Sequence, residues 1–358
     1  MSFGYATRLK TGLCEYTMSV VAIVTGITGQ DGSYLADLLL EKDYIVVGIV
    51  RRTSSIHRER IAHLASHPRL FLREADMSDT TSLRAVFAEF TSYPRIEVYN
   101  LAAQSHVHTS FRQPEYTADV DGIGPLRILE VIRTLGISSK TRFYQASTSE
   151  LFGKVVETPQ TERTPFYPRS PYAVAKLYAH WIVRNYRESY GMFTCSGILF
   201  NHESERRGEE FITRKITKGL ARLYSDPTFV LEIGNLDARR DWGYAPEYVE
   251  GMWRMLQQDT PDDYVLATGE THSVREFIET AMTCIGHTIV WDGSGVEEVG
   301  KDETGRCVVR INREFYRPAE VDLLVGDASR ARNVLGWAPT HTFHELVSRM
   351  IQHDLTNK

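Results

Sequence analysis

The stretch "VVAIVTGITGQDGSYL", residues 20–35, constrains the chain more than any other. A wholly apolar run ends in glycines at positions 26, 29 and 32, and a helical pattern begins at once. Glycines spaced in this way let backbone amides approach a pyrophosphate, and a helix N-terminus adds orphan N–H groups and a positive dipole. An ordinary glycine-rich strand-to-helix turn would use the same residues. The surrounding pattern favours the phosphate-binding reading.

That pattern continues. "YIVVGIV", "RLFLREAD", "RIEVYNLAA" and "TRFYQAS" are apolar strands, separated by amphipathic runs such as "TSLRAVFAEF" and "GPLRILEVIRTLG". Buried strands alternating with helices predict a doubly wound parallel sheet with helices on both faces, a Rossmann-like α/β fold. The sequence predicts a first domain over residues 18–200 and a smaller α/β substrate-binding domain over 201–358. Segments near 235–267 are expected to rejoin the first. Residues 1–17 carry no apolar signal-peptide core and are expected to be a loose, disordered extension.

The second strand ends "GIVRRTSS". An acidic residue here would hold the ribose 2′-hydroxyl of NAD, whereas arginine accommodates the 2′-phosphate of NADP. Arg51 and Arg52, followed by Thr53 and Ser54, therefore favour NADP over a merely solvated basic loop. Asp76, ending the third strand, is placed to meet the adenine. "NLAAQS" should run along the nicotinamide ribose and phosphates.

"YQASTSELFG" ends the fifth strand with Ser147, Thr148, Ser149 and Glu150 close together. About 24 residues after Thr148, "SPYAVAKLYAHW" sets Tyr172 and Lys176 one helical turn apart. A phenol with a pKa of about 10 is a poor base. A nearby ammonium and an oxidised nicotinamide would bring it into range. YxxxK is common on surface helices, but a dinucleotide fold upstream and a hydroxyl cluster beside it favour catalysis.

"TGITGQDG", "YNLAAQSHV", "STSE" and "YAVAK" together resemble the extended short-chain dehydrogenase/reductase superfamily. Within it, blocks from residue 20 to about 350, such as "NHESERRGEEFITRKIT" and "YRPAEVDLLVGDASRARNVLGW", resemble the GDP-mannose 4,6-dehydratase family. The resemblance implies a catalytic set of Thr148, Glu150, Tyr172 and Lys176. It places NADP against Gly26, Ile27, Thr28, Gly29, Gln30 and Asp31, then Arg51, Arg52, Thr53 and Ser54. Further cofactor contacts fall on Asp76, Met77, Leu101, Ala102, Ala103, Gln104, Ser105, Tyr116, Lys176, His202 and Arg207. GDP-mannose would meet Asn201, Arg214, Lys215, Arg240, Arg317 and Glu320. A diphosphate needs cations, and guanidinium forks onto phosphate oxygens. Arg222 and Arg239 are read as surface charges.

The implied reaction is internal hydride transfer with loss of water, giving GDP-4-keto-6-deoxymannose, a step toward GDP-deoxyhexoses such as GDP-fucose or GDP-rhamnose. Sister enzymes acting on thymidine-linked glucose carry Thr-Asp-Glu where this chain has Thr148-Ser149-Glu150, so Glu150 is expected to act as both base and acid. A nucleotide-sugar 4-epimerase is the alternative, and a non-catalytic dinucleotide sensor a more distant one.

A net charge of −5 and a pI near 6.2 argue against nucleic-acid or membrane-surface binding. Cys14, Cys195, Cys284 and Cys307 form no CxxC pair, which favours a reducing, cytoplasmic compartment. No histidine–carboxylate cluster has ligand spacing, so no metal is expected. Helices near 115–135 and 170–190 are long enough to pair across a homodimer, and family resemblance extends this to a homotetramer through "TSSIHRERI".

Overall fold

The computed structural model describes residues 20–54, 57–223, 225–315, 321 and 323–357. The expectations for residues 1–17, Arg317 and Glu320 fall outside these.

Seven strands form the main sheet: β1 (Val21–Thr25), β2 (Ile45–Val50), β3 (Leu70–Glu74), β4 (Ile96–Asn100), β5 (Thr141–Thr148), β6 (Phe193–Leu199) and β7 (Asp263–Leu266). Their spatial order is β7-β6-β5-β4-β1-β2-β3, and every pairing is parallel. The fold is therefore the Rossmann-like α/β sheet that the alternating pattern predicts. Chain direction across the sheet reverses between β1 and β4, the place where such sheets open a crevice at their carboxyl ends.

Alternation along β1 explains why its run is continuously apolar. Ala22 and Val24 pack with Leu35 and Leu39 on one face; Val21 and Ile23 pack with Phe87, Ile128 and Val183 on the other. The first face is covered by α1 (Gln30–Glu41). The second is covered by α2 (Thr80–Ala88), α3 (Gly124–Thr134) and α4 (Pro171–Tyr190). Each fully buried leucine or phenylalanine contributes about 1.5–3 kcal/mol, so both faces hold the sheet.

Four further helices are α5 (Ile212–Leu223), α6 (Ala245–Met255), α7 (Val274–Cys284) and α8 (Phe343–Thr356). The helix α6 packs with α1 through Val249 and Met252, while β7 is the edge strand of the main sheet. Residues 245–266 thus belong with the main sheet although they interrupt the smaller unit in sequence. That smaller unit packs α5, α7 and α8 on a four-stranded sheet that includes Leu231–Ile233 and Cys307–Ile311. Capping boxes start α7 at Ser273/Glu276 and α8 at Thr342/Glu345. No helix among the described residues is long and apolar enough to cross a membrane.

Candidate active site

The carboxyl ends of the central strands are locked into register by a buried ladder. Thr25 Oγ1 donates to Asn100 Oδ1 at 2.8 Å, and Asn100 Nδ2 donates to Gln145 Oε1 at 2.8 Å. The Leu101 and Ala102 amides, each 3.0 Å from Thr25 Oγ1, turn the chain away just after β4. Polar residues at these strand ends therefore satisfy backbone where the sheet stops.

Above the ladder lies one long cleft of about 1730 Å³. At one end sits the glycine turn. Gly26 has φ +68°, and a Cβ there would stand 2.9 Å from the Ala102 nitrogen. At Gly32 a Cβ would be 2.3 Å from the Gly26 oxygen, so only glycine lets α1 begin this close to β1. The result is an open backbone cradle under a helix N-terminus, which fits a dinucleotide pyrophosphate.

Across the cradle, His202 Nε2 lies 2.8 Å from Asp31 Oδ2, and His202 Nδ1 lies 2.7 Å from the Phe200 oxygen. Burial works to raise the Asp31 pKa, but the His202 charge and hydrogen bond overcome it and hold the carboxyl at about 2. Burial likewise works to lower the His202 pKa, and Asp31 reverses it so that the imidazole is raised above its ordinary value.

Below the cradle's far wall, β5 ends at Thr148, whose Oγ1 accepts from the Glu150 amide at 3.2 Å and starts the 3₁₀ turn Ser149–Leu151. The helix α4 begins with Ser170 capping Ala173 N at 3.1 Å and proline at its first position. It ends at Gly191, with φ +61°. One face of α4 buries Tyr172, Lys176 and His180. Lys176 Nζ donates to the Ala146 oxygen at 3.1 Å and lies 5.8 Å from the Tyr172 ring centroid. Thr148, Glu150, Tyr172 and Lys176 all line the cleft.

In the protein alone Tyr172 is held firmly protonated. Burial raises its pKa first, then Asp121 adds to it, while the Thr148 hydroxyl and Arg207 pull the other way. Burial also lowers the Lys176 pKa, against Asp121 and Asp31.

Of the residues expected at the cofactor, Gly26, Thr28, Gly29, Gln30, Asp31, Arg51, Thr53, Ser54, Asp76, Met77 and Tyr116 line this cleft. So do Leu101 to Ser105, His202 and Arg207. Ile27 does not: its side chain is fully buried and packs beneath Gly48. Arg52 is exposed beside the cleft rather than lining it. On the substrate side Asn201, Lys215 and Arg240 line the cleft.

Arg214 departs from the expectation. Its guanidinium is buried and paired at 2.6 Å with Asp354 of α8, so α5 turns that cation inward. Arg222 pairs with Asp226 at 3.0 Å on the surface, and Arg239 pairs with Glu276 at 3.1 Å. Two cleft-facing groups escaped the sequence reading. Arg60 donates to the Arg206 and Thr28 oxygens at 2.7 and 3.3 Å, and its only sequence signal is the charge run "HRERI". His106 stands edge-on against Phe211 with centroids 5.9 Å apart, a pairing of segments about 100 residues apart in sequence that local pattern cannot show.

A family model described as GDP-mannose 4,6 dehydratase matches residues 23–350. The chain belongs to the GDP-mannose 4,6-dehydratase family. It is 58% identical over 342 residues to the GDP-mannose 4,6 dehydratase of Drosophila melanogaster, covering 94% of this chain and 86% of that one. It is 54% identical to the Homo sapiens protein of the same name, covering 94% and 91%. Among solved structures, the dTDP-glucose 4,6-dehydratase of Streptomyces venezuelae, solved with NAD, superposes with a TM-score of 0.79 at 21% identity, covering 94% and 97%. The UDP-glucose 4-epimerase of Thermotoga maritima gives 0.78 at 21%, covering 94% and 99%. These structures share the fold. The close sequence relatives favour the dehydratases over the 4-epimerases that share it.

Proposed function

We propose that the cleft converts GDP-mannose to GDP-4-keto-6-deoxymannose, with NADP as resident cofactor. The observation that carries this reading is the convergence of Thr148, Glu150, Tyr172 and Lys176 on the cleft that holds the glycine cradle. When bound, the nicotinamide would supply a hydride acceptor and a positive charge while oxidised and, once reduced, the returning hydride.

The chain's own residues do the rest. Tyr172 takes the proton from the hydroxyl on carbon 4, with Thr148 hydrogen-bonding the same oxygen and polarising the ketone that forms. The ketone acidifies the proton on carbon 5, and Glu150 removes it. Glu150 then carries that proton to the departing hydroxyl on carbon 6, because Ser149 supplies no second carboxyl; hydride return to carbon 6 is completed by a proton at carbon 5, balanced by the one Tyr172 took from carbon 4. Lys176 holds the cofactor ribose and keeps positive charge near the phenol. Lys215 and Arg240 meet the nucleotide diphosphate, with Arg317 and Glu320 as further contacts of the same substrate and Asn201 on the sugar.

NADP rather than NAD is supported by Arg51, whose Nη1 donates to the Tyr116 hydroxyl at 2.6 Å and lines the cleft with Thr53 and Ser54. A homodimer is supported by the outer face of α4, which exposes Val174 (56%), Tyr178 (41%) and Trp181 (50%). A cytoplasmic site of action fits the free thiols of Cys195, Cys284 and Cys307. The decisive variant is Glu150→Gln, which should still bind NADP yet lose water from GDP-mannose about 100-fold or more slowly. Water loss at the wild-type rate would remove Glu150 from the mechanism.

A further inference from the structure

The helix that precedes α3 changes its winding. Residues Pro114–Thr117 are α-helical, Ala118–Ile123 form a π-turn, and regular α-helix resumes at Gly124. Such turns cost regularity and gather at functional sites. This one lies against α4: a Cβ on Gly122 would stand 3.3 Å from the Ala175 oxygen, next to Lys176.

The turn carries Asp121, which is 1% exposed. Its Oδ1 accepts from the Gln104 amide at 2.7 Å. Its Oδ2 is buried and has no hydrogen-bond partner. An unpaired buried carboxylate oxygen is costly, so its retention calls for an explanation.

We infer that Asp121 is a positioning residue of the hydride-transfer site, acting as counter-charge to Lys176 and as tether for the cofactor-facing strip at Gln104. This rests on the roles given above to Tyr172 and Lys176. Burial raises the Asp121 pKa to about 6, and Lys176 is the charge that opposes it. Burial lowers the Lys176 pKa, and Asp121 is the first group to oppose that. Asp121 also disfavours the Tyr172 phenolate. The carboxyl thus keeps a buried lysine cationic while restraining the phenol until the cofactor is in place.

The groups around it are accounted for on each packed element. From α4 come Tyr172, Lys176 and Tyr178; the Tyr178 ring is 3.6 Å from a Cβ at Gly122. From α3, Arg127 is occupied with Asp119 at 2.7 Å. In Pro114–Thr117, Tyr116 is bonded to Arg51 and Glu115 is exposed. Asp31 reaches the cluster through its effect on Lys176.

Asp121→Asn keeps an acceptor for Gln104 and removes the charge; Asp121→Ala removes both. With NADP-loaded protein and GDP-mannose, Asn should move the kcat/KM profile to lower pH by about half a unit or more. Ala should add a loss of NADP affinity of about tenfold that Asn largely avoids. An activity-independent readout is the tyrosinate absorbance titration, taken as the difference from Tyr172→Phe. It should show the Tyr172 phenolate forming at lower pH in Asp121→Asn. Uniformly reduced kcat with an unmoved profile and titration would overturn the inference and leave a structural role only. If wild type does not turn over GDP-mannose, the reading of the site fails, and the tyrosinate titration alone decides the role of Asp121.

Discussion

His202 and Asp31 form a 2.8 Å ion pair across the mouth of the glycine cradle. A carboxylate at the first turn of a phosphate-facing helix would repel the ligand unless offset, and His202, whose pKa Asp31 raises above its ordinary value, is placed to offset it. The pair ties the segment just after β6 to α1, and Gln30 Nε2 donates to the His202 oxygen at 3.0 Å beside it.

Its stability signature follows from the pKa directions. Asp31 is held at about 2, below its ordinary 3.8, so its contribution is present above 3.8 and fades as pH falls toward 2. His202 is raised, so its contribution is present below its ordinary 6.5 and is lost as pH rises through the folded value. Asp31→Asn should therefore destabilise by about 2 kcal/mol between roughly pH 4 and 6.5, and by less on either side. Thermal melts across that range check it; a penalty independent of pH would assign the pair no electrostatic role.

Glu150 stands on a turn that Thr148 caps, so replacing its carboxylate leaves the backbone intact. Glu150→Gln should lower water loss by about 100-fold or more while NADP affinity stays within about twofold of wild type. Single-turnover mass spectrometry would show oxidation at carbon 4 without elimination.

Cofactor choice should reside in Arg51. Its bond to Tyr116 holds the guanidinium at the cleft edge. Arg51→Ala should weaken NADP by about tenfold or more and NAD little, because a charge-assisted phosphate contact is lost. Calorimetric titration of both cofactors checks it, and equal weakening of the two would place the 2′-phosphate elsewhere.

Arg214 offers the opposite test. Asp354 also accepts from Thr217 Oγ1 at 2.7 Å, so removing the arginine strands a buried carboxylate between α5 and α8. Arg214→Ala should cost about 3–5 kcal/mol of stability, read by denaturant melts, while the KM for GDP-mannose changes little in the folded fraction. A large KM change without a stability loss would return Arg214 to the substrate.

Much of the cleft lining was legible because its pattern is local in sequence. The glycine turn, the Arg51 strand end and the Tyr172/Lys176 spacing are each read within one strand or one helical turn. What escaped depends on pairings between distant segments. Nothing near Arg214 announces Asp354, which lies on the last helix. Ile27 sits inside the glycine motif, yet its side chain points into the core because the turn alternates between cradle and sheet. Asp121 lies in a run that reads as ordinary helix; only the π-turn swings it toward Gln104 and Lys176.

In the proposed mechanism hydride leaves carbon 4 and returns to carbon 6 of one sugar in one cleft. NADP-loaded protein given GDP-mannose deuterated at carbon 4 tests it most directly. The expected product is lighter by one water and retains the deuterium on carbon 6, with no reductant consumed. A product of unchanged mass, or one whose deuterium is lost to solvent or to the free cofactor pool, would contradict it.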